Sequence, residues 1–330
     1  MINNIIGHDN TKEQLAIAVK SAKDRNKNIP HLLFSGAAGC GKTTMGMEMA
    51  KAADVDFLPV SPDDFSDREP VMRILDKLNH INYDKFGNRD GPLQPTMIFI
   101  DEIHRMPRKG QEILGIAMEK FLLETGKANK YYWIPFFTLI GATTDDGELS
   151  KPFREKFKLR FLFETYSDVE ITAMVMMHAE KKELLITQKA ARAIAQRSRG
   201  IPRTAVGFLE RSRDYSNFIK ATVITSEAVL SNFKTIGIDS KGLTGAEIKI
   251  LKALHSSRDP IGLDNLAIIS NEAKKNISQT IEPFLIRQGL MVRSGKGRVI
   301  TGKGRQHLDK DGYLGTSINK VEISPNYIRS

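Results

Sequence analysis

The chain has 330 residues, which is too long for one ordinary domain and predicts two or three. Hydrophobic residues make up 41% and charged residues 27%, a globular composition with enough apolar material for packed cores. The formal net charge of +10 predicts a polyanionic partner, either nucleic acid or an acidic membrane surface. The sole cysteine, Cys40, excludes an internal disulfide framework and is typical of a protein in a reducing compartment.

The start of the chain lacks the basic segment and apolar core of a signal peptide. No apolar run reaches the roughly 18 residues of a membrane span. We therefore expect a cytoplasmic protein without a membrane partner. Residues 11–25 carry apolar side chains at helical spacing, which predicts an amphipathic helix that covers a sheet.

The stretch from Gly36 to Thr43 matches the phosphate-binding pattern G-x-x-x-x-G-K-[ST]. Residues 31–34 before it predict the end of a buried strand, and residues 44–51 after it predict a helix. Glycines here let successive N–H groups face a phosphate chain, and the helix N-terminus adds a favourable dipole. In this pattern Lys42 reaches the β- and γ-phosphates and the Thr43 hydroxyl binds Mg²⁺, so we expect ATP and Mg²⁺ as cofactors. The loop residues expected to bind the cofactor are Gly36, Gly39, Cys40, Gly41, Lys42, Thr43 and Thr44.

Two acidic residues end the next strong strand pattern. Residues 57–60 predict a second strand, and the polar stretch 79–94 predicts an inserted surface loop. The apolar run at 97–100 then stops abruptly at Asp101 and Glu102, as in a buried parallel strand with functional residues at its carboxyl end. We expect Asp101 to hold Mg²⁺ through water and Glu102 to polarise the attacking water.

A further buried strand at 136–144 ends in the hydroxyls of Thr143 and Thr144. A polar side chain here can hydrogen-bond the lytic water or the γ-phosphate, although each threonine taken alone is more typical of helix caps and turns. Between the two strands, residues 121–134 predict a hairpin with its turn at 124–129. That aromatic hairpin is either a partner-binding surface or a half-buried strand edge.

From Ser167 the pattern becomes helical. Ser167 and Glu170 predict a capping box at the start of one helix. A second helix is predicted at 187–199, and Pro202 begins a third that carries Arg203. These three helices predict a small helical domain.

Residues 241–310 form a separate unit of three predicted helices and two short strands joined by a basic turn. Three helices and a basic hairpin predict a winged-helix domain. The unit holds 13 Lys and Arg against 6 acids, so it carries +7 of the chain's +10. We expect Arg293, Lys296 and Arg298 on the wing to contact DNA, and a merely solvated basic face is the alternative. Residues 311–330 predict an irregular tail.

Taken together, these motifs resemble the RuvB family, the hexameric motors of bacterial Holliday-junction branch migration. The resemblance rests on the phosphate loop and on DEIHR at 101–105, FTLIGATT at 137–144, GIPR at 200–203, GLDNLA at 262–267 and IEPFLIRQG at 281–289. It implies an α/β fold in which an AAA+ P-loop ATPase domain with a parallel sheet (1–164) is followed by a helical lid (165–236), a winged-helix DNA-binding domain (237–310) and a tail (311–330). It also implies a hexameric ring that uses ATP to pull duplex DNA through the junction, beside a RuvA-like protein.

The resemblance also implies roles for single residues. Thr144, or its neighbour Thr143, takes the first sensor role, and Arg203 takes the second and contacts the γ-phosphate. Ile6 and Pro202 are expected at the nucleotide as well.

The family completes its active site with an arginine supplied from the neighbouring subunit, within the pattern Ser-Pro-Leu-Arg-Asp-Arg-Phe. Residues 151–157 read KPFREKF here, so the second basic residue is Lys156. Because lysine cannot make the bidentate contact, either Arg154 takes this role or hydrolysis is slower.

Three further departures concern segments rather than single residues. The hairpin is several residues shorter than the family's RuvA-contacting hairpin, the N-terminal arm that helps hold adenine is missing, and the 79–94 loop is longer. The favoured function is ATP-driven translocation on branched or duplex DNA. A clamp-loader-like switch that does not translocate and an ATP-modulated winged-helix regulator are the alternatives.

Overall fold

In a computed structural model of the chain, the described residues are 2, 5–25, 27–81, 96–124 and 131–313. They divide into two compact units, the first made of 1–183 with 200–208 and the second of 184–199 with 209–330. Most of the loop predicted at 79–94, most of the turn predicted at 124–129, and the tail from 314 onward lie outside the described residues.

The strands, in chain order, are β1 (Leu32–Gly36), β2 (Phe57–Val60), β3 (Thr96–Ile100), β4 (Leu122–Glu124), β5 (Tyr131–Trp133), β6 (Phe137–Thr143), β7 (Leu159–Phe163), β8 (Met291–Ser294) and β9 (Gly297–Ile300). The helices, in chain order, are α1 (Asp9–Asp24), α2 (Lys42–Ala53), α3 (Arg68–Ile81), α4 (Arg108–Lys120), α5 (Lys151–Arg154), α6 (Asp168–Lys181), α7 (Gln188–Arg197), α8 (Pro202–Phe218), α9 (Ser226–Thr235), α10 (Gly245–Ser256), α11 (Leu263–Ser270), α12 (Lys274–Asn276), α13 (Glu282–Arg287) and α14 (Gly302–Lys310).

The first unit is built on a five-stranded sheet in the order β2-β3-β6-β1-β7, and every pairing in it is parallel. All residues of β3 and β6 are buried, because helices cover both faces of such a sheet. The carboxyl ends of β1, β3 and β6 therefore meet at one edge, which is where α/β sheets bind their ligands. This confirms the predicted α/β fold and the predicted strands at 57–60, 97–100 and 136–144.

The structure corrects the start of the predicted loop. α3 continues to Ile81, so residues 79–81 are helical rather than part of an insertion. Its buried Val71, Leu75 and Leu78 repeat at helical spacing and belong to the core of the first unit, which explains why the helix persists. The hairpin is confirmed as the antiparallel pair β4 and β5.

A half-buried histidine, His31, joins the sheet to α4. The Leu139 amide donates to His31 Nδ1 at 2.9 Å, and His31 Nε2 lies 3.0 Å from the Met118 carbonyl oxygen. Since one nitrogen must accept and the other donate, the ring is the neutral Nε2–H tautomer. Burial lowers the pKa of His31 below its usual 6.5.

We expect the free energy of unfolding to fall as the pH drops below 6.5, because the unfolded chain then binds a proton that folded His31 resists. Denaturant unfolding at about pH 7.5 and about pH 5.5 measures this effect on both sides of the reference value. His31→Gln is expected to lower the free energy of unfolding at both pH values but to reduce the difference between them. An unchanged pH dependence in this variant contradicts the assignment.

The second unit contains a winged-helix core around Leu251, Leu266 and Leu285. A π-helical turn at Ile277–Ile281 joins α12 to α13, and the antiparallel β8 and β9 form the wing. The predicted strands at 291–293 and 299–301 are longer or shifted, so the turn shortens to Gly295 and Lys296. Among the described residues, no helix is both long and apolar enough to cross a bilayer.

Candidate functional site

The phosphate loop runs from the end of β1 to the first turn of α2. Its glycines adopt backbone angles that favour glycine, with φ of 141° at Gly36 and 82° at Gly39. A Cβ atom on Gly36 would lie 2.3 Å from the Phe163 carbonyl oxygen of β7, so no larger residue fits there. The loop therefore has the conformation that turns backbone N–H groups toward an anion at the start of a helix.

Lys42 lies inside this loop, with 6% of its surface exposed. Its Nζ donates to the carbonyl oxygens of Gly36 at 2.7 Å and Ala37 at 3.1 Å. Burial lowers the pKa of Lys42, while the carboxylates of Glu102 and Asp101 oppose that shift. The loop thus holds a desolvated ammonium group that two neighbouring acids favour in its charged form.

The acids at the end of β3 belong to a hydrogen-bond network with the end of β6. Thr144 Oγ1 donates to Glu102 Oε2 at 2.9 Å, and His104 Nδ1 lies 3.3 Å from the same oxygen. Glu102 has a left-handed backbone with φ of 47°, a conformation that costs energy outside glycine and clusters at functional sites. Asp101 is exposed directly after the carboxyl end of β3, and its charge favours the charged form of Lys42 in the loop.

The two candidate sensor threonines differ in environment. Thr143 is fully buried, and its Oγ1 accepts from the Asp145 amide at 3.0 Å and lies 2.9 Å from His104 Nδ1. Thr144 is exposed and bonds Glu102. This difference favours Thr144 for the sensor role and a structural role for Thr143.

The GIPR segment lies directly against the phosphate loop. A Cβ atom on Gly39 would lie 2.8 Å from Arg203 Cβ and 3.0 Å from Ile201 Cγ2. Arg203 is exposed, and its charge contributes to lowering the pKa of Lys42. Pro202 is the first residue of α8 and is half-buried beside Arg203.

Two rings beside the phosphate loop, those of Tyr166 and His8, were not predicted from the sequence. Tyr166 donates its hydroxyl to the Cys40 carbonyl oxygen at 3.3 Å, and burial raises the pKa of Tyr166, so the phenol stays neutral. The His8 ring packs edge-on against Tyr166 with centroids 4.5 Å apart. A cleft of about 430 Å³ is lined by both rings, and half-buried Ile6 belongs to the same N-terminal segment. The same cleft is also lined by Asp9, Glu164 and Glu170, so it combines two aromatic rings with acidic side chains.

The residues present fit ATP with Mg²⁺. A buried ammonium at a helix N-terminus suits the phosphates, and the exposed Thr43 hydroxyl and Asp101 carboxylate are the hard oxygen ligands that Mg²⁺ prefers.

On the wing, the structure separates the three basic candidates. Arg293 and Lys296 are exposed, with 66% of the Arg293 side chain accessible. Arg298 is 7% exposed, and its Nε and Nη2 donate to Glu282 Oε2 at 3.1 and 2.7 Å. The structure thus gives Arg298 a buried intrachain partner, and contact of Arg298 with DNA stays a prediction. Residue 298 belongs to β9, where its backbone pairs with Ile261, rather than to the predicted turn.

Comparison with known proteins agrees with this arrangement along the whole chain. The Holliday junction DNA helicase RuvB P-loop domain matches residues 1–162, the RuvB AAA lid domain matches 166–239, and the RuvB C-terminal winged helix domain matches 240–309. A protein named Holliday junction branch migration complex subunit RuvB, from Ehrlichia ruminantium strain Gardel, is 35% identical over 319 residues, covering 95% of this chain and 92% of that protein. This chain belongs to the RuvB family.

Solved structures of the RuvB family match as well. A point mutant of Thermotoga maritima RuvB superposes with a TM-score of 0.78 at 30% identity, covering 93% of this chain and 97% of that one. The Thermotoga maritima RuvB Holliday junction branch migration motor gives a TM-score of 0.73 at 31% identity, covering 92% and 95%. The predicted fold of P-loop domain, AAA lid and winged helix is thereby confirmed.

The chain departs from the RuvB pattern after α5. Lys156 Nζ forms a 2.6 Å ion pair with Glu119 of α4 in the same subunit. Arg154 Nη1 makes a long hydrogen bond of 3.4 Å to the carbonyl oxygen of exposed Asp146. Lys156 is thus held by an intrachain carboxylate, whereas the Arg154 contact is weak and readily replaced by a stronger acceptor.

Two wing variants are expected to affect different properties, one the affinity for DNA and the other the stability of the fold. Lys296→Ala weakens duplex binding for all sequences and reduces the salt slope by about 1, because it removes one phosphate contact without touching the core. Arg298→Ala lowers the free energy of unfolding by about 3 kcal/mol, because it leaves the buried Glu282 with only the longer 3.8 Å ion pair to exposed Arg293. Salt-titrated binding and denaturant unfolding measure the two effects. A stability equal to that of the natural chain in Arg298→Ala contradicts the structural role.

Proposed function

We propose that this chain is an ATP-dependent DNA motor that drives branch migration of Holliday junctions. The contact of Arg203 and Ile201 with Gly39 of the phosphate loop carries the proposal. This contact connects the phosphate loop to the GIPR segment. That segment lies in the chain between α7 and α8, and α7 and the later part of α8 belong to the second unit, which contains the winged helix. The exposed basic side chains of the wing support the proposal that the motor moves DNA by contacting its phosphates.

In the proposed mechanism the side chains of the first unit act as fixed electrostatic groups. Lys42 stabilises negative charge on the phosphates, while Thr43 and Asp101 hold Mg²⁺. Glu102 orients and polarises the attacking water, and its hydrogen bond with Thr144 sets where that carboxylate points. Cleavage of bound ATP supplies the free energy for movement.

Arg203 is proposed to respond to the γ-phosphate. Since its Cβ atom lies against Gly39 and residue 203 belongs to the first turn of α8, a shift of this arginine moves the start of α8. Pro202 and Ile6 are proposed to complete the nucleotide contacts.

The assembly and location are also proposals. We propose a homo-oligomeric, hexameric ring on duplex arms, acting in the cytoplasm, with a RuvA-like protein at the junction. The curated relatives are named as subunits of a branch migration complex, which supports a partner of this kind. The proposal keeps domain bounds of 1–164, 165–236 and 237–310.

ATP turnover without DNA, with linear duplex and with a synthetic four-way junction tests this function. The proposal predicts stimulation by duplex and a larger stimulation by the junction, together with strand separation of the junction arms. Turnover with loading onto DNA but without strand separation supports a clamp-loader-like switch instead. Strong preference for one duplex sequence over scrambled competitors supports a regulator.

A further inference from the structure

Arg199 is bound within the second unit by an unusually complete set of contacts. Its Nη1 donates to Glu247 Oε1 at 2.8 Å, its Nη2 reaches Glu247 Oε2, and its Nε donates to the Gly242 carbonyl oxygen at 3.0 Å. The guanidinium also stacks over the Phe284 ring, 3.9 Å from its centroid. These partners belong to α10, to the turn before it and to α13, so one side chain ties the end of α7 to the winged helix.

The carboxylate that holds Arg199 is itself fixed. Glu247 is 2% exposed and accepts from the Thr244 amide at 2.7 Å and the Thr244 hydroxyl at 3.0 Å as part of a capping box. A bidentate pair with a buried, preorganised carboxylate resists rotation of either group. Arg199 therefore moves together with the winged helix.

The same connection is reinforced by the turn at residues 239–243. Arg197 Nε donates to the Asp239 carbonyl oxygen at 3.0 Å, and the buried His307 Nε2 lies 2.7 Å from Asp239 Oδ2. Asp239, His307 and Asp311 have the composition of a metal site. However, Asp239 Oδ1 already accepts from the Lys241 and Leu243 amides, so hydrogen bonds account for this cluster.

Arg199 is followed directly by the GIPR segment, which has its contacts in the first unit. The Tyr166 amide donates to the Gly200 carbonyl oxygen at 2.9 Å, and Ile201 and Arg203 contact Gly39 of the phosphate loop. The chain passes between the compact units at 183–184, at 199–200 and at 208–209. At the second of these, the Arg199–Gly200 bond, both residues have left-handed backbones with φ of 59° and 69°.

We infer that Arg199 is the positioning residue that couples the nucleotide site to the winged helix. The inference rests on the proposed function. A shift of the GIPR segment at the phosphate loop is passed to the winged helix because Arg199, one residue away, is fixed to Glu247 and Phe284. Without these contacts the Arg199–Gly200 joint, where Arg199 has a left-handed backbone, absorbs part of the shift. The coupling of the two sites then weakens, and α8 remains as a continuous connection from the GIPR segment into the second unit.

The test measures the affinity of the full-length chain for linear duplex DNA, with and without ATPγS and Mg²⁺, by fluorescence anisotropy. In the natural chain the two dissociation constants are expected to differ by at least about fivefold, the lower end of typical coupling between sites. In Arg199→Ala the ratio of the two dissociation constants is expected to fall to about half of its natural value or less, while ATPγS affinity without DNA changes by less than about twofold, because the two ligand sites themselves are intact.

Three further variants make the test specific. Arg199→Lys keeps the charge but loses the bidentate geometry, so it retains a reduced ratio and replaces Arg199→Ala if that variant unfolds. The double variant Arg199→Glu with Glu247→Arg is expected to recover part of the ratio by restoring the pair. Arg213→Ala is the matched control, since Arg213 pairs with adjacent Asp214 and has no contact with Glu247.

The outcomes separate the two proposals. Suppose that ATPγS changes the duplex affinity of the natural chain, and that Arg199→Ala and Arg199→Lys both keep the full ratio of dissociation constants. The inference is then overturned and the proposed function stands. If ATPγS leaves the duplex affinity of the natural chain unchanged and the chain does not dissociate junctions, the proposed function is rejected, and the inference that rests on it is rejected as well.

Discussion

Replacing Arg154 with alanine is expected to lower ATP turnover by about 10³-fold, the lower end of what an arginine supplied across an interface contributes. ATP affinity is expected to stay within about twofold, because a residue supplied by a neighbouring subunit stabilises charge that develops during the reaction. The contacts of Arg154 and Lys156 differ in the structure. Its guanidinium makes a 3.4 Å bond to a loop carbonyl, whereas Lys156 is engaged by Glu119 at 2.6 Å. Lys156→Ala is accordingly expected to change turnover by only about threefold or less, as for an exposed ion pair.

A mixing experiment decides whether Arg154 acts across subunits. Arg154→Ala and Lys42→Ala chains are each expected to be nearly inactive alone. In the proposed ring, a mixture of the two contains sites in which an intact Lys42 faces an intact Arg154. Turnover is therefore expected to reappear on mixing. Mixtures that stay inactive, or a tenfold or larger loss in Lys156→Ala, would contradict the assignment of Arg154; a tenfold change is about 1.4 kcal/mol of transition-state stabilisation.

Lys42→Ala is expected to lower turnover by about 10³-fold, the upper end of the cost of removing one preorganised donor. The cause is the loss of a desolvated ammonium that lies within the phosphate loop at 6% exposure. Fluorescent ATP-analogue binding and phosphate release measure binding and turnover separately.

Lys51→Ala provides the matched control for that variant. Lys51 is on the same helix, α2, but its side chain is 67% exposed and pairs with Glu48. It is expected to leave binding and turnover unchanged. Equal losses in the two variants would show that the effect comes from the helix rather than from the loop.

The sequence predicted well those features in which local order fixes geometry. The phosphate loop needs its glycines between a strand and a helix, and the structure has β1, positive φ angles and α2 in that order. The capping box predicted at Ser167 is present as hydrogen bonds with Glu170, because three-residue spacing suffices to form it.

Features set by distant contacts could not be predicted in this way. Tyr166 reaches the Cys40 carbonyl oxygen across 126 residues of sequence, so no local pattern points to it. The burial of Arg298 could not be predicted either, because it depends on the pairing of β9 with Ile261 and on the position of Glu282 in α13. A one-residue change in strand assignment moves a side chain from one face to the other.

The most direct test of the central proposal follows a labelled synthetic four-way junction incubated with the full-length chain, ATP and Mg²⁺, with ATPγS and Lys42→Ala as parallel reactions. A motor is expected to convert the junction into two duplexes in the ATP reaction alone. If the natural chain hydrolyses ATP and binds the junction but leaves it intact at every protein concentration, the chain is a nucleotide-dependent switch on DNA and not a branch-migration motor.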